Sequence, residues 1–202
     1  MRARTLAITM AALALAAVLA ACGSTSSTNP SATSMPASSG AMAVGNSDDI
    51  VFAQLMIPHH EQAVAMAELA LTRATSADVK ALATQIKGAQ GPEITTMTGW
   101  LAAWGQPKTM ANSSSMGGMD MGGMTESGMM SDQDMASLAA ATGAAFDKMW
   151  LQMMIAHHQG AVGMADQIVA NGSNAEVKAL AQSIIDGQNV EITTMKKLLK
   201  TS

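Results

Sequence analysis

The sequence predicts an all-α protein, a four-helix bundle made of two duplicated antiparallel helical hairpins joined by a long Met/Gly-rich crossover. Three observations predict it. Met56-Ile57-Pro58-His59-His60-Glu61-Gln62-Ala63-Val64-Ala65-Met66-Ala67 returns 98 positions later as Met154-Ile155-Ala156-His157-His158-Gln159-Gly160-Ala161-Val162-Gly163-Met164-Ala165. The same offset pairs Glu93-Ile94-Thr95-Thr96-Met97 with Glu191-Ile192-Thr193-Thr194-Met195, so the chain is internally duplicated without a gap. Secondly, Phe52, Met56, His59, Ala63, Met66 and Ala70 recur at alternating steps of four and three, as do Trp150, Met154, His157, Ala161, Met164 and Ile168. That is the inward stripe of a bundle helix. Thirdly, each such helix is followed after a short turn by another, and a short turn makes the two antiparallel neighbours.

Residues 1–21 read as an export signal: Arg2 and Arg4, an apolar run from Leu6 to Ala20 too short to span a membrane comfortably, and small residues before Cys22. Cys22 is the only cysteine, and Leu19-Ala20-Ala21-Cys22 resembles a bacterial lipobox, in which the cysteine is lipidated; an ordinary signal with an incidental cysteine is the plainer alternative. With Cys22 lipidated, no thiol is left for disulfides or metal. Residues 22–45, rich in Ser, Thr, Ala, Pro and Gly, read as a flexible tether, and 46–202 as the folded domain.

Within that domain the first hairpin covers 46–104. Asn46 or Ser47 caps a helix over about 48–73, with Asp48 and Asp49 favourable in its first turn, and Pro58 is expected to bend it. Thr75-Ser76 supplies the turn and cap of a second helix to about Trp104, whose stripe is Val79, Leu82, Ile86, Gln90, Glu93, Met97, Trp100 and Trp104, with a kink expected at Gly91-Pro92. Gly105 and Pro107 end it. Residues 105–131 lose periodicity and form a Met-rich linker, either a crossover loop or an insert without structure of its own. The second hairpin, 132–202, opens with a short helix from a Ser131–Asp134 capping box to about Ala141, then has long helices over about 144–170 and 175–200, broken at Asn171-Gly172-Ser173-Asn174. One long crossover between two hairpins is the ferritin-like connection.

Charge and composition remove several functions. Cleavage before Cys22 takes two of the 11 basic residues and none of the 15 acidic ones, leaving 9 − 15 = −6, which argues against nucleic acid as a partner. Two phenylalanines and three tryptophans give little from which to build a stacking surface. None of the six glutamates has a histidine three residues later, which speaks against a ferritin-like iron oxidase, and there is no nucleophile elbow for hydrolysis. No catalytic constellation is evident.

What remains is histidine and methionine. All four histidines lie in the two His-His pairs, and methionine reaches 20 residues. At 100° and 1.5 Å per residue, Met56 lies about 40° from His60 and about 60° from His59, so its sulfur can share an ion with either imidazole. Met66 is nearly in line with His59 but roughly 10 Å along the axis, too far without help from another helix. The same holds for Met154, His157, His158 and Met164. Glu93 with Met97, and Glu191 with Met195, are four-residue pairs on neighbouring helices that could complete sites facing the histidines. Consecutive histidines point about 100° apart, so one of each pair is expected to face the bundle and the other its edge or the neighbouring hairpin. Core packing is the plain alternative for each methionine taken singly. For the paired histidines it is weaker, since four buried imidazoles without partners are costly.

Thioether plus imidazole without thiolate favours a soft or borderline ion: Cu(I) first, Ag(I) as its mimic, then Cu(II). Zinc needs fewer methionines and calcium needs oxygen clusters. Met116, Met119, Met121 and Met124 of the linker form a secondary candidate site, with a low-complexity insert as its alternative.

The duplicated pattern resembles the CopM-like family of bacterial secreted copper-binding domains. The resemblance spans about residues 46–199. It rests on Met56-Ile57-Pro58-His59-His60, Ala63 and Met66-Ala67; on Gln90, Glu93 and Met97; on Phe146-Asp147; on Met154-Ile155-Ala156-His157-His158, Ala161 and Met164-Ala165; and on Gln188, Glu191 and Met195. It implies a helical bundle, similar in fold to ferritins, that binds copper outside the cytoplasm and contributes to copper tolerance. The expected function is thus that of an exported lipoprotein, anchored on the cell surface or facing the periplasm, that sequesters Cu(I) or hands it to other copper-handling proteins. A non-metal helical surface adaptor and a copper-dependent redox enzyme are the competing readings.

Overall fold

The computed structural model describes residues 44–110 and 128–200. The expected export signal, Cys22, most of the expected tether and the linker residues Met116, Met119, Met121 and Met124 lie outside them. Five helices follow in order: α1 Ser47–Arg73, α2 Ala77–Ala103, α3 Asp132–Ala140, α4 Gly143–Asn171 and α5 Ala175–Leu198. No strand occurs among the described residues, and none of the described helices is long and apolar enough to cross a membrane.

Local chemistry sets the ends. Asn46 and Asp49 form a capping box at the start of α1, Ser131 and Asp134 form another at α3, and Ser76 and Asn174 cap α2 and α5. Gly105, at φ +66°, stops α2: the Gln106 amide reaches back to the Leu101 carbonyl at 2.8 Å, the six-to-one bond of a Schellman ending. Pro58 and Pro92 lie inside α1 and α2, and both helices continue through them.

α1 packs along α2 and α4 along α5, and the two hairpins meet chiefly through α1 against α4. The interior divides into two apolar clusters. One gathers Ala63, Met66, Leu82, Ile86, Phe146, Trp150, Met154, Ile192 and Met195; the other Phe52, Met56, Met97, Trp100, Leu101, Ala161, Met164, Val177 and Ile184. Along every long helix the cluster changes at one place: between Ile57 and Ala63, Ile86 and Met97, Met154 and Ala161, Ile184 and Ile192. The buried residues at those four junctions include His59, His60, Gln90, His157, His158, Gln188 and Glu191.

The hairpins are also latched reciprocally at their ends. Asp147, near the start of α4, accepts from the Thr75 amide at 3.1 Å, the Thr75 hydroxyl at 2.6 Å and the Ser76 amide at 2.9 Å. Its counterpart Asp49 in α1 accepts from the Ser173 amide, the Ser173 hydroxyl and the Asn174 amide at 3.1, 2.9 and 3.0 Å. Each carboxylate therefore braces the turn of the opposite hairpin, and both are buried. The sequence suggested only a helix-dipole role for Asp49.

Candidate metal centre

His59, His60, Gln90, Glu93, His157, His158, Gln188 and Glu191 sit at the four junctions, one pair from each long helix, so they form a polar layer between the apolar clusters. All four histidines are buried, at 1 % exposure or less. The bundle edge offered by the 100° rule is therefore not where the second histidine of each pair goes. α2 covers His60 and α5 covers His158, while His59 and His157 face each other across α1 and α4.

Two contacts define the layer. His60 Nε2 lies 2.7 Å from Glu93 Oε2, and His158 Nε2 lies 2.8 Å from Glu191 Oε2, the same pairing in each hairpin. The rings of His59 and His157 meet across the two hairpins, tilted at 40° with centroids 3.8 Å apart. The pairings follow from the turns: both span 33 residues around a short loop, so the glutamate returns down the second helix to the height of the histidine.

The electrostatics of the layer favour a neutral ring at His157. Burial holds the His157 imidazole far below its ordinary protonation range, and the neighbouring His59, His158 and His60 push in the same direction. Yet several polar atoms have nothing to bond. Both nitrogens of His157, the Nδ1 atoms of His60 and His158, both amide atoms of Gln90 and Oε1 of Gln188 are buried without a hydrogen-bond partner. Each such atom costs about 1–3 kcal/mol if left bare.

The six buried methionines divide between the two apolar clusters. Met56, Met97 and Met164 belong to one, and Met154, Met195 and Met66 to the other. Each set takes two methionines from one hairpin and one from its twin, so Met66 falls in a different cluster from Met56. All six are buried. Among the described residues no three His, Cys, Asp or Glu side chains converge as a ligand group. Imidazole and thioether donors suit a soft or borderline cation and fit a hard one poorly.

Residues outside the predicted set also shape the site. Gln90 and Gln188 are buried in the layer, although their positions in the stripes suggested only packing. Gln62 grips the end of the linker, donating to the Met130 carbonyl at 2.8 Å and accepting from the Met130 amide at 2.7 Å. The linker's other end is held by Gln54, which donates to the Pro107 carbonyl at 2.8 Å, and by Glu61 paired with Lys108. No periodicity reveals such contacts. Glutamines flanking the His-His pair are the only signal for them.

Fold and site together define a helical bundle with a buried His/Met layer. The chain belongs to the DUF305 family, described as a domain of unknown function, whose family model matches residues 49–199. It is similar to a DUF305 protein of Streptomyces coelicolor, described as secreted, at 34% identity and a TM-score of 0.70, covering 76% of this chain and 93% of that one. A DUF305 fragment from Deinococcus radiodurans matches at 30% identity and TM-score 0.67, covering 78% and 99%. CopM in its Cu(I)-bound form matches at 33% identity and TM-score 0.61, covering 76% and 96%, and CopM structures with Cu(II) and with Ag also match. No curated protein sequence matches significantly.

Proposed function

We propose that this protein binds copper outside the cytoplasm, holding Cu(I) and handing it on without turnover. The observation that carries the reading is the polar layer itself, in which imidazole nitrogens without hydrogen-bond partners lie between two apolar clusters that each hold three buried methionines. The donors are His59, His60, His157 and His158 with Met56, Met97 and Met164 on one side and Met66, Met154 and Met195 on the other; Glu93 and Glu191 complete the layer. Similarity to CopM, which was crystallised with Cu(I), Cu(II) and Ag, supports the choice of ion. Sulfur and imidazole donors favour Cu(I) over Cu(II), with Ag(I) as a competitor.

The lipobox at Cys22 and the segment from 22 to 45 support a lipid anchor with the bundle held off the membrane, and the linker methionines are auxiliary sulfur donors on the evidence of sequence alone. The deciding experiment titrates the protein with Cu(I) against a competing chelator, beside a variant with all four histidines changed to alanine. A large loss of affinity is expected in the variant. Equal affinity in both overturns the histidine assignment.

A further inference from the structure

The two His–Glu contacts settle which atom of each imidazole is left to bind. An ionised carboxylate only accepts hydrogen bonds, so Nε2 of His60 and of His158 must carry the proton donated to Glu93 and Glu191. In a neutral ring the other nitrogen, Nδ1, then holds the lone pair. Those two Nδ1 atoms are buried and have no hydrogen-bond partner. A ligating histidine commonly gives its remote N–H to a carboxylate, which fixes the tautomer and ring orientation and makes the ligating nitrogen more basic.

Resting on the copper reading, we infer that Glu93 and Glu191 are positioning residues rather than ligands, and that His60 and His158 present Nδ1 to the metal. The glutamates are unequally covered: the Glu93 side chain is 21% exposed and that of Glu191 7%. The second hairpin therefore orients its histidine in the drier setting, where a hydrogen bond is less diluted by solvent.

The test uses the full chain with Cys22→Ser throughout, so that no thiol competes, labelled with 15N in histidine. Ag(I) serves as a diamagnetic probe, and single His60→Ala and His158→Ala variants assign the signals. Before metal, Nε2 of both residues is expected to resonate as the protonated nitrogen and Nδ1 as the bare one; Ag(I) then shifts Nδ1 and leaves the Nε2 proton in place. A metal-induced shift at Nε2 with loss of its proton overturns the inference while histidine ligation stands. No shift at either nitrogen of either residue overturns the inference and these histidine donors together.

A second arm compares Glu93→Gln/Glu191→Gln, which keeps a carbonyl acceptor for the N–H, with Glu93→Ala/Glu191→Ala, which removes it. The alanine pair is expected to lose about 10- to 100-fold in Cu(I) affinity and the glutamine pair to stay near the parent protein. Equal loss in both pairs marks the carboxylates as ligands and overturns the positioning role.

Discussion

Asp147 accepts a hydrogen bond from the Thr75 hydroxyl at 2.6 Å, across the boundary between the two hairpins. With the Thr75 and Ser76 amides it gives the α1–α2 turn three bonds to one buried charge. Replacing Asp147 by alanine leaves those donors without an acceptor, and about 3 kcal/mol of stability should go with it. Asp49→Ala should cost a similar amount at the other end. Urea unfolding of each variant and of the double variant measures both; a cost under 1 kcal/mol for either would mean that solvent replaces the latch.

The buried methionines can be tested for ligation apart from packing. Met97→Leu and Met195→Leu preserve volume closely, so each should cost less than about 1.5 kcal/mol in stability. If their sulfurs ligate, either change should weaken Cu(I) or Ag(I) binding by about 10-fold or more. Calorimetric titration beside thermal unfolding separates the two effects, and an affinity that stays put in both variants assigns these residues to the core alone.

Acid should loosen the metal-free protein. His157 stays neutral in the folded chain and takes a proton near its ordinary value of 6.5 once unfolded. Below that pH the unfolded state binds more protons, so stability is complete above about pH 6.5 and declines beneath it, by about 1.4 kcal/mol per pH unit for one such group. Unfolding free energies from pH 7.5 to 5 should show this slope, and His157→Leu should flatten it. An identical slope in the variant would trace the acid sensitivity to other groups.

Gly128 governs how the linker rejoins the bundle. It sits at φ +85°, where a Cβ would lie 2.5 Å from the Ala156 carbonyl oxygen. Gly128→Ala should therefore cost about 1–3 kcal/mol locally. The Met130 amide, held by Gln62 at 2.7 Å, reports the damage through faster hydrogen exchange. Unchanged protection in the variant would show that the contact yields without loss.

Much of this architecture could be read in the chain before any coordinates. The stripes through Phe52–Ala70 and Trp150–Ile168 located the inward faces, and Asn46 or Ser47, Thr75-Ser76 and Ser131 marked helix starts because capping is a local interaction. The His60–Glu93 and His158–Glu191 pairings were only half legible. Helical phase put the glutamates on an inward face, but the height at which they meet the histidines depends on how the helices pair across the turn. The Asp49 and Asp147 latches were not legible at all. They join residues 124 and 72 positions distant, from different hairpins, and no local propensity encodes such a contact. The burial of both members of each His-His pair was likewise decided by which helix covers the second ring.

The chief ties between the halves are reciprocal: a carboxylate from each closes on the turn of the other, and an imidazole from each meets at the middle. A single hairpin would carry only half of every such contact and would expose a self-complementary surface. Two identical copies could satisfy it by closing as an isologous pair about a twofold axis. Fusion into one chain then removes any dependence on protomer concentration and frees the halves to diverge, as Pro58 against Ala156 and Gln62 against Gly160 already do.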